Sequence, residues 1–157
     1  MRNIFTVIMF SLFGLWASAT QAADQTLQVT DAMARAMPEV APTSAVFFTI
    51  HNGSDHPRVL VAAQSSAARS VELHTHTMHE GMMAMRRVPQ IEIPAGQSVV
   101  FQPGGLHVML IGLKHSLEMG QQIDLTLEFA DGEKLNLMVP VGNPGMGGQG
   151  HDHMHMQ

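Results

Sequence analysis

Cysteine and tyrosine are absent from this 157-residue chain, and tryptophan occurs once. Without cysteine there is no disulfide framework, and there is no thiolate of the kind that a blue-copper electron carrier needs. Basic residues are scarce as well: eight Lys and Arg stand against thirteen Asp and Glu, for a net charge of −5 with His neutral. Binding to nucleic acid is thereby disfavoured, because no basic patch is available to neutralise phosphates. Long apolar runs are also missing. The longest, Ile4 to Trp16, falls short of the ~20 residues that span a bilayer.

That run has another reading. It follows Arg2 and leads into Ala17-Ser18-Ala19-Thr20-Gln21-Ala22-Ala23, the basic, apolar and small-residue order of a secretory signal peptide. Residues 1–23 are therefore expected to be removed near Ala22 or Ala23, leaving no membrane span and a protein exported to a bacterial periplasm. Removal of Arg2 leaves seven basic and thirteen acidic residues, 7 − 13 = −6. Phe47, Phe48, Phe101 and Phe129 are then the remaining aromatics, so the core must rely on Val, Ile, Leu, Ala and Met. The remaining length, 157 − 23 = 134 residues, suits one domain with a core of ordinary size. The domain is expected over 24–141, followed by a tail over 142–157.

Short apolar runs separated by turn residues recur along that domain: 27–30, 45–51, 58–63, 70–76, 83–88, 98–101, 107–110, 123–129 and 134–139. The pattern predicts an all-β sandwich or barrel of about eight or nine short strands. Asn52-Gly53 and Asp131-Gly132 predict tight hairpin turns. A short helix is expected only around Asp31 to Ala36, closed by Pro38.

Histidine and methionine are abundant, at 10 and 14 residues. Four of them form a spaced set: His74, ten residues, Met85, twenty-one residues, then His107-x-Met109. Two imidazoles and two thioethers without thiolate or carboxylate point to Cu(I), a soft monovalent ion; Zn²⁺ sites usually add thiolate or carboxylate, and Ca²⁺ and Mg²⁺ want oxygen. Residues two apart on a strand share a face, so His107 and Met109 can converge on one ion while Val108 and Leu110 anchor the strand in the core. His74 and Met85 are expected at the two ends of a loop over 75–84, beside each other across a hairpin. Met78, His79, Met82 and Met83 crowd that loop and His76 shares a strand face with His74; they read as an exposed, soft segment, with alternate or transient metal ligands as the other reading. Met33, Met37, Met119 and Met138 read as core packing, and His51, His56 and His115 as surface histidines.

The tail runs through a glycine-rich tether, 142–150, to His151-Asp152-His153-Met154-His155-Met156-Gln157. Its alternating donors predict a second metal grip at His151, His153, Met154, His155 and Met156, with imidazoles suited to Cu(II) and thioethers to Cu(I).

The blocks Val71-Glu72-Leu73-His74, Gly81-Met82-Met83-Ala84-Met85-Arg86, Ile93-Pro94-Ala95-Gly96 and Pro103-Gly104-Gly105-Leu106-His107-Val108-Met109-Leu110 closely resemble the PCuAC family of periplasmic copper chaperones. The four donors fill that family's His-x10-Met-x21-His-x-Met motif without a gap. The resemblance implies a cupredoxin-like β-sandwich holding one Cu(I), and it implies an acceptor: the binuclear copper site of cytochrome c oxidase subunit II, alongside thiol-containing assembly factors. Four neutral ligands leave the charge of the ion uncompensated, which favours release to a cysteine-bearing acceptor over storage. The alternative is a periplasmic copper buffer that retains metal. A copper enzyme is disfavoured, since four ligands leave no open position and no acid, base or substrate pocket adjoins them in sequence.

Overall fold

A computed structural model of the chain describes residues 27–144; the signal segment and the tail donors His151, His153, Met154, His155 and Met156 lie outside the described residues. Ten strands follow one another: β1 (Leu27–Arg35), β2 (Thr43–Asn52), β3 (Arg58–Gln64), β4 (Ala68–His79), β5 (Met82–Arg87), β6 (Ile91–Ile93), β7 (Ser98–Phe101), β8 (His107–Leu113), β9 (Gln122–Phe129) and β10 (Lys134–Gly142). The alternation that predicted them is plain in β9, where Ile123, Leu125, Leu127 and Phe129 are buried and the residues between them face outward. Strand order is β5-β4-β8-β2-β1-β10-β9-β3-β6, with β7 adding to β2. β1 joins the two halves through parallel pairs, Ala34↔Val141 and Arg35↔Gly142. The inner faces enclose one core in which Phe48 and Phe101 stack with ring centroids 4.3 Å apart.

The all-β class is borne out, with ten strands where eight or nine were expected; β6, at three residues, is too short to give an alternating run. No residue from 27 to 144 is helical, and Asp31 to Ala36 belongs chiefly to β1. A helix of six residues is too short to repay its nucleation, whereas β2 supplies a ladder of partners from Leu27 to Ala34. The chain accommodates Asp31 at φ 55°, where the register against β2 shifts between Thr30 and Met33.

The hairpin expected to bring Met85 beside His74 is present, and its strands run on through most of the segment read as a loop over 75–84. β4 and β5 pair from His74↔Arg87 to His79↔Met82, and Glu80 and Gly81 turn the chain with φ of 50° and 80°. Positive φ at both central residues gives the twist that a two-residue hairpin needs. Asp131-Gly132 does lie in a turn between paired strands, with Gly132 at φ 90°. Asn52-Gly53 does not, because β2 and β3 are not neighbours. There the Asn52 side chain is the organising element. Its Nδ2 donates to the carbonyls of His56 (2.8 Å) and Ile93 (3.0 Å), and its Oδ1 accepts from Ser54 N (3.0 Å) and Ser54 Oγ (2.6 Å). Asn52 is fully buried, so Asn52→Ala leaves the Ile93 carbonyl without this partner. We expect a loss of about 1–3 kcal/mol, read as a lower urea midpoint with an unchanged slope. Met119 and Met138 are 63% and 62% exposed, so neither packs in the core.

Candidate metal centre

β4, β8 and β2 lie side by side, and their pairing determines which side chains meet. His74 is directly opposite His107, and Glu72 is opposite Met109; Met109 in turn faces Ala45 on β2. Leu73, Val108 and Leu110, between these residues in sequence, are buried in the core. Alternation therefore sends His74, His107 and Met109 to the outer face of the sheet, as the spacing predicted. β5 then carries Met85 onto the same face. Its direct partner is His76, while His74 pairs with Arg87, so Met85 stands diagonally across from His74.

His107 is the anchor. It is 3% exposed, with Phe47, His74 and His76 around it at ring-centroid distances of 6.3, 5.8 and 5.1 Å. Its Nδ1 lies 3.0 Å from the Gly105 carbonyl. The proton is thus on Nδ1, and Nε2 keeps its lone pair. Burial lowers the pKa of His107, partly offset by the Gly105 hydrogen bond and reinforced by the nearby His76, His74 and Arg35. The imidazole therefore stays neutral at pH values where an ordinary histidine, with a pKa near 6.5, begins to protonate.

His74 shows the complementary arrangement. Its Nε2 lies 2.9 Å from a Glu72 carboxylate oxygen, to which Nε2–H donates. Its Nδ1 is buried and has no hydrogen-bond partner. A buried polar atom left unpaired costs about 1–3 kcal/mol, and here that atom is a lone pair beside His107. A carboxylate bonded to the far nitrogen of a histidine is the usual support of a metal-binding imidazole, fixing both tautomer and ring orientation.

A pocket of about 280 Å³ opens on this face, and Met85, His107 and Met109 are among its lining residues with His76, Met37 and Arg35. His74 borders His107 without lining the pocket. Three of the four expected donors thus share one cavity, and the fourth, with its unpaired nitrogen, has its ring centroid 5.8 Å from that of His107. Among the described residues no three His, Asp or Glu side chains are arranged to hold a metal ion by themselves.

Sequence reasoning missed one residue. Glu72 sits two positions before His74 and shares its face, a signal that strand alternation could have supplied. Its carboxylate, with Arg87 at 3.8 Å, places charge beside a donor set that was expected to be wholly neutral. His76, expected on the strand face of His74, has its ring nearer to His107 than that of His74.

A family model described as "Putative lipoprotein LpqE-like" matches residues 27–141. The chain belongs to the LpqE-like family. A "Putative lipoprotein" of Leifsonia xyli subsp. xyli is 40% identical over 99 residues, covering 62% of the chain; this LpqE-like chain spans 60% of the length of that curated relative. Among solved structures, Cu(I)-bound DR1885 from Deinococcus radiodurans is 38% identical, with 83% of this chain and 89% of DR1885 covered at a TM-score of 0.61. The apo PCuAC domain from PmoF1 is 25% identical, with 76% and 95% covered at a TM-score of 0.64. The resemblance to PCuAC domains read from the motif blocks is thereby borne out, and with it the fold class.

Proposed function

We propose that this chain is a periplasmic copper chaperone. It binds one Cu(I) through His74 Nδ1, His107 Nε2 and the sulfur atoms of Met85 and Met109, and it passes the ion to a cysteine-bearing acceptor. The observation that carries this reading is the buried, unpartnered Nδ1 of His74 beside a histidine whose Nδ1 is already used. Two imidazoles held with their lone pairs free, next to two thioethers, are a donor set for a soft monovalent ion. The Cu(I)-bound state of DR1885 supports the same choice of metal.

Release follows from the ligands. Thioethers are weaker donors than thiolates, so an acceptor offering cysteines draws Cu(I) away. Without thiols of its own, the site does not close into a disulfide in an oxidising compartment. The binuclear copper site of cytochrome c oxidase subunit II, with thiol-containing assembly factors, is the acceptor we infer from the family resemblance. The tail donors would add Cu(II) or Cu(I) capacity beyond the glycine-rich stretch. The test is an anaerobic Cu(I) titration of the chain against a chromophoric chelator, followed by mixing with a two-cysteine acceptor peptide. Transfer to the thiolates is expected; retention against them would mark a copper buffer instead.

Glu72 gives a second prediction. Glu72→Gln keeps a hydrogen-bond acceptor for His74 but removes the charge. Cu(I) affinity should fall by about 10–100-fold, the usual cost of losing support for a metal-binding histidine, with little change in melting temperature.

Acid gives a third. Because the pKa of His107 is lowered on folding, the unfolded chain binds more protons than the folded one between the folded pKa and about 6.5. The contribution of His107 to apo stability is therefore complete above that window and lost as pH falls through it. Thermal melts of the apo protein should show this decline, and it should be absent from a His107→Phe variant.

A further inference from the structure

The β4–β5 hairpin carries more soft donors than the proposed site uses. On the face that carries the proposed site, His76 is opposite Met85 and Met78 is opposite Met83. Residues paired directly across antiparallel strands have Cβ atoms about 4.5–5.5 Å apart, so these four side chains form a compact quadrilateral on one face. Met78, Met83 and Met85 are 70%, 60% and 52% exposed. Side chains exposed to that degree contribute little to packing, and all six residues of β5 are exposed. His76 links this ladder to the inner site, since its ring centroid is 5.1 Å from that of His107 and its side chain lines the same pocket as Met85 and Met109.

We propose that His76, Met78 and Met83 form an outer soft-metal subsite, occupied by Cu(I) on its way into and out of the inner site, with Met85 as the donor nearest to both. One imidazole and two thioethers provide the same donor chemistry as the inner site, but the thioethers are exposed and the half-buried imidazole has no supporting carboxylate among the described residues. The outer subsite is therefore the weaker of the two and the one that an incoming thiolate reaches first. Transfer then proceeds by exchanging one donor at a time, Met109, His74 and His107 giving way to His76 and the exposed methionines, so that the ion is never without ligands. The proposal extends the inner-site reading and relies on it for the direction of transfer, though not for the existence of the outer subsite.

The test uses the full chain labelled with ¹³C at the methionine ε-methyls, loaded anaerobically with Cu(I) to saturation and assigned by single Met→Leu substitutions. The Met78 and Met83 methyl signals should shift after those of Met85 and Met109, and His76→Ala should abolish both of the later shifts. Met78→Leu/Met83→Leu should retain the inner-site affinity. If the Met78 and Met83 methyls do not move at saturation, the exposed methionines are a hydrophobic docking face and the subsite is overturned. Undiminished shifts in His76→Ala would overturn it equally. If Met78 and Met83 shift while Met85 and Met109 stay still, the inner-site reading fails and the outer subsite stands.

Discussion

Replacing both inner thioethers with leucine, Met85→Leu/Met109→Leu, is expected to weaken Cu(I) binding at the inner site by more than about 100-fold, since even the loss of a supporting residue costs 10–100-fold. Leucine nearly preserves the volume of methionine, and swaps of this kind usually cost less than about 1.5 kcal/mol. Met85 is 52% exposed and packs little. The apo variant should therefore melt close to the parent chain while failing to compete with the chelator for its first equivalent of metal. This separation of binding from stability distinguishes a ligand from a packing residue. A variant that lost stability and kept its affinity would return both methionines to the role that most strand methionines play.

The second large effect concerns the scaffold. Phe48 and Phe101 are each 2% exposed and stack at 4.3 Å, in register across β2 and β7. Phe48→Ala should cost about 3–5 kcal/mol, a large share of the 5–15 kcal/mol that holds an ordinary domain together. The consequence reaches the metal site. β2 pairs with β8 through Val46↔Val108 and Ala45↔Met109, just before the position of Phe48, so loosening the ring stack loosens the strand that positions Met109. Chemical denaturation of the apo variant checks the first part. Recovery of folded signal on adding Cu(I) checks the second, because a ligand that binds only the native state stabilises it by mass action.

The fold was legible in the sequence because most of its strands bury one face. β9 and β2 announce themselves through alternating apolar residues, and Asp131-Gly132 marks a real turn. Where legibility failed, the causes were tertiary. Asp31 to Ala36 has a helical look in isolation, but Met33 and Ala34 pair with β2, and Ala34 and Arg35 pair with β10. The segment between His74 and Met85 carries no buried face at its outer end, so how far its hairpin pairing extends left no hydrophobic signature. Asn52 reads as a turn residue and is instead buried, bonding to the backbone of two separate segments.

For the site, the identity of the donors was readable, because metal preference depends on ligand type before it depends on geometry. Their support was less so. Glu72 and the Gly105 carbonyl act through specific nitrogen atoms of His74 and His107, and which nitrogen is held depends on the pairing of β4 with β8. The proximity of His76 to His107 likewise follows from strand register, which no residue count supplies.

The central claim is that the free nitrogens of these two histidines hold the ion. Long-range ¹H–¹⁵N correlation of the histidine rings, recorded on the full chain with one equivalent of Cu(I), tests it most directly. The account predicts that His74 Nδ1 and His107 Nε2 shift together while the opposite nitrogens keep their protons. Unmoved His74 and His107 rings, with shifts confined to His151, His153 and His155, would contradict it and place the first copper on the tail.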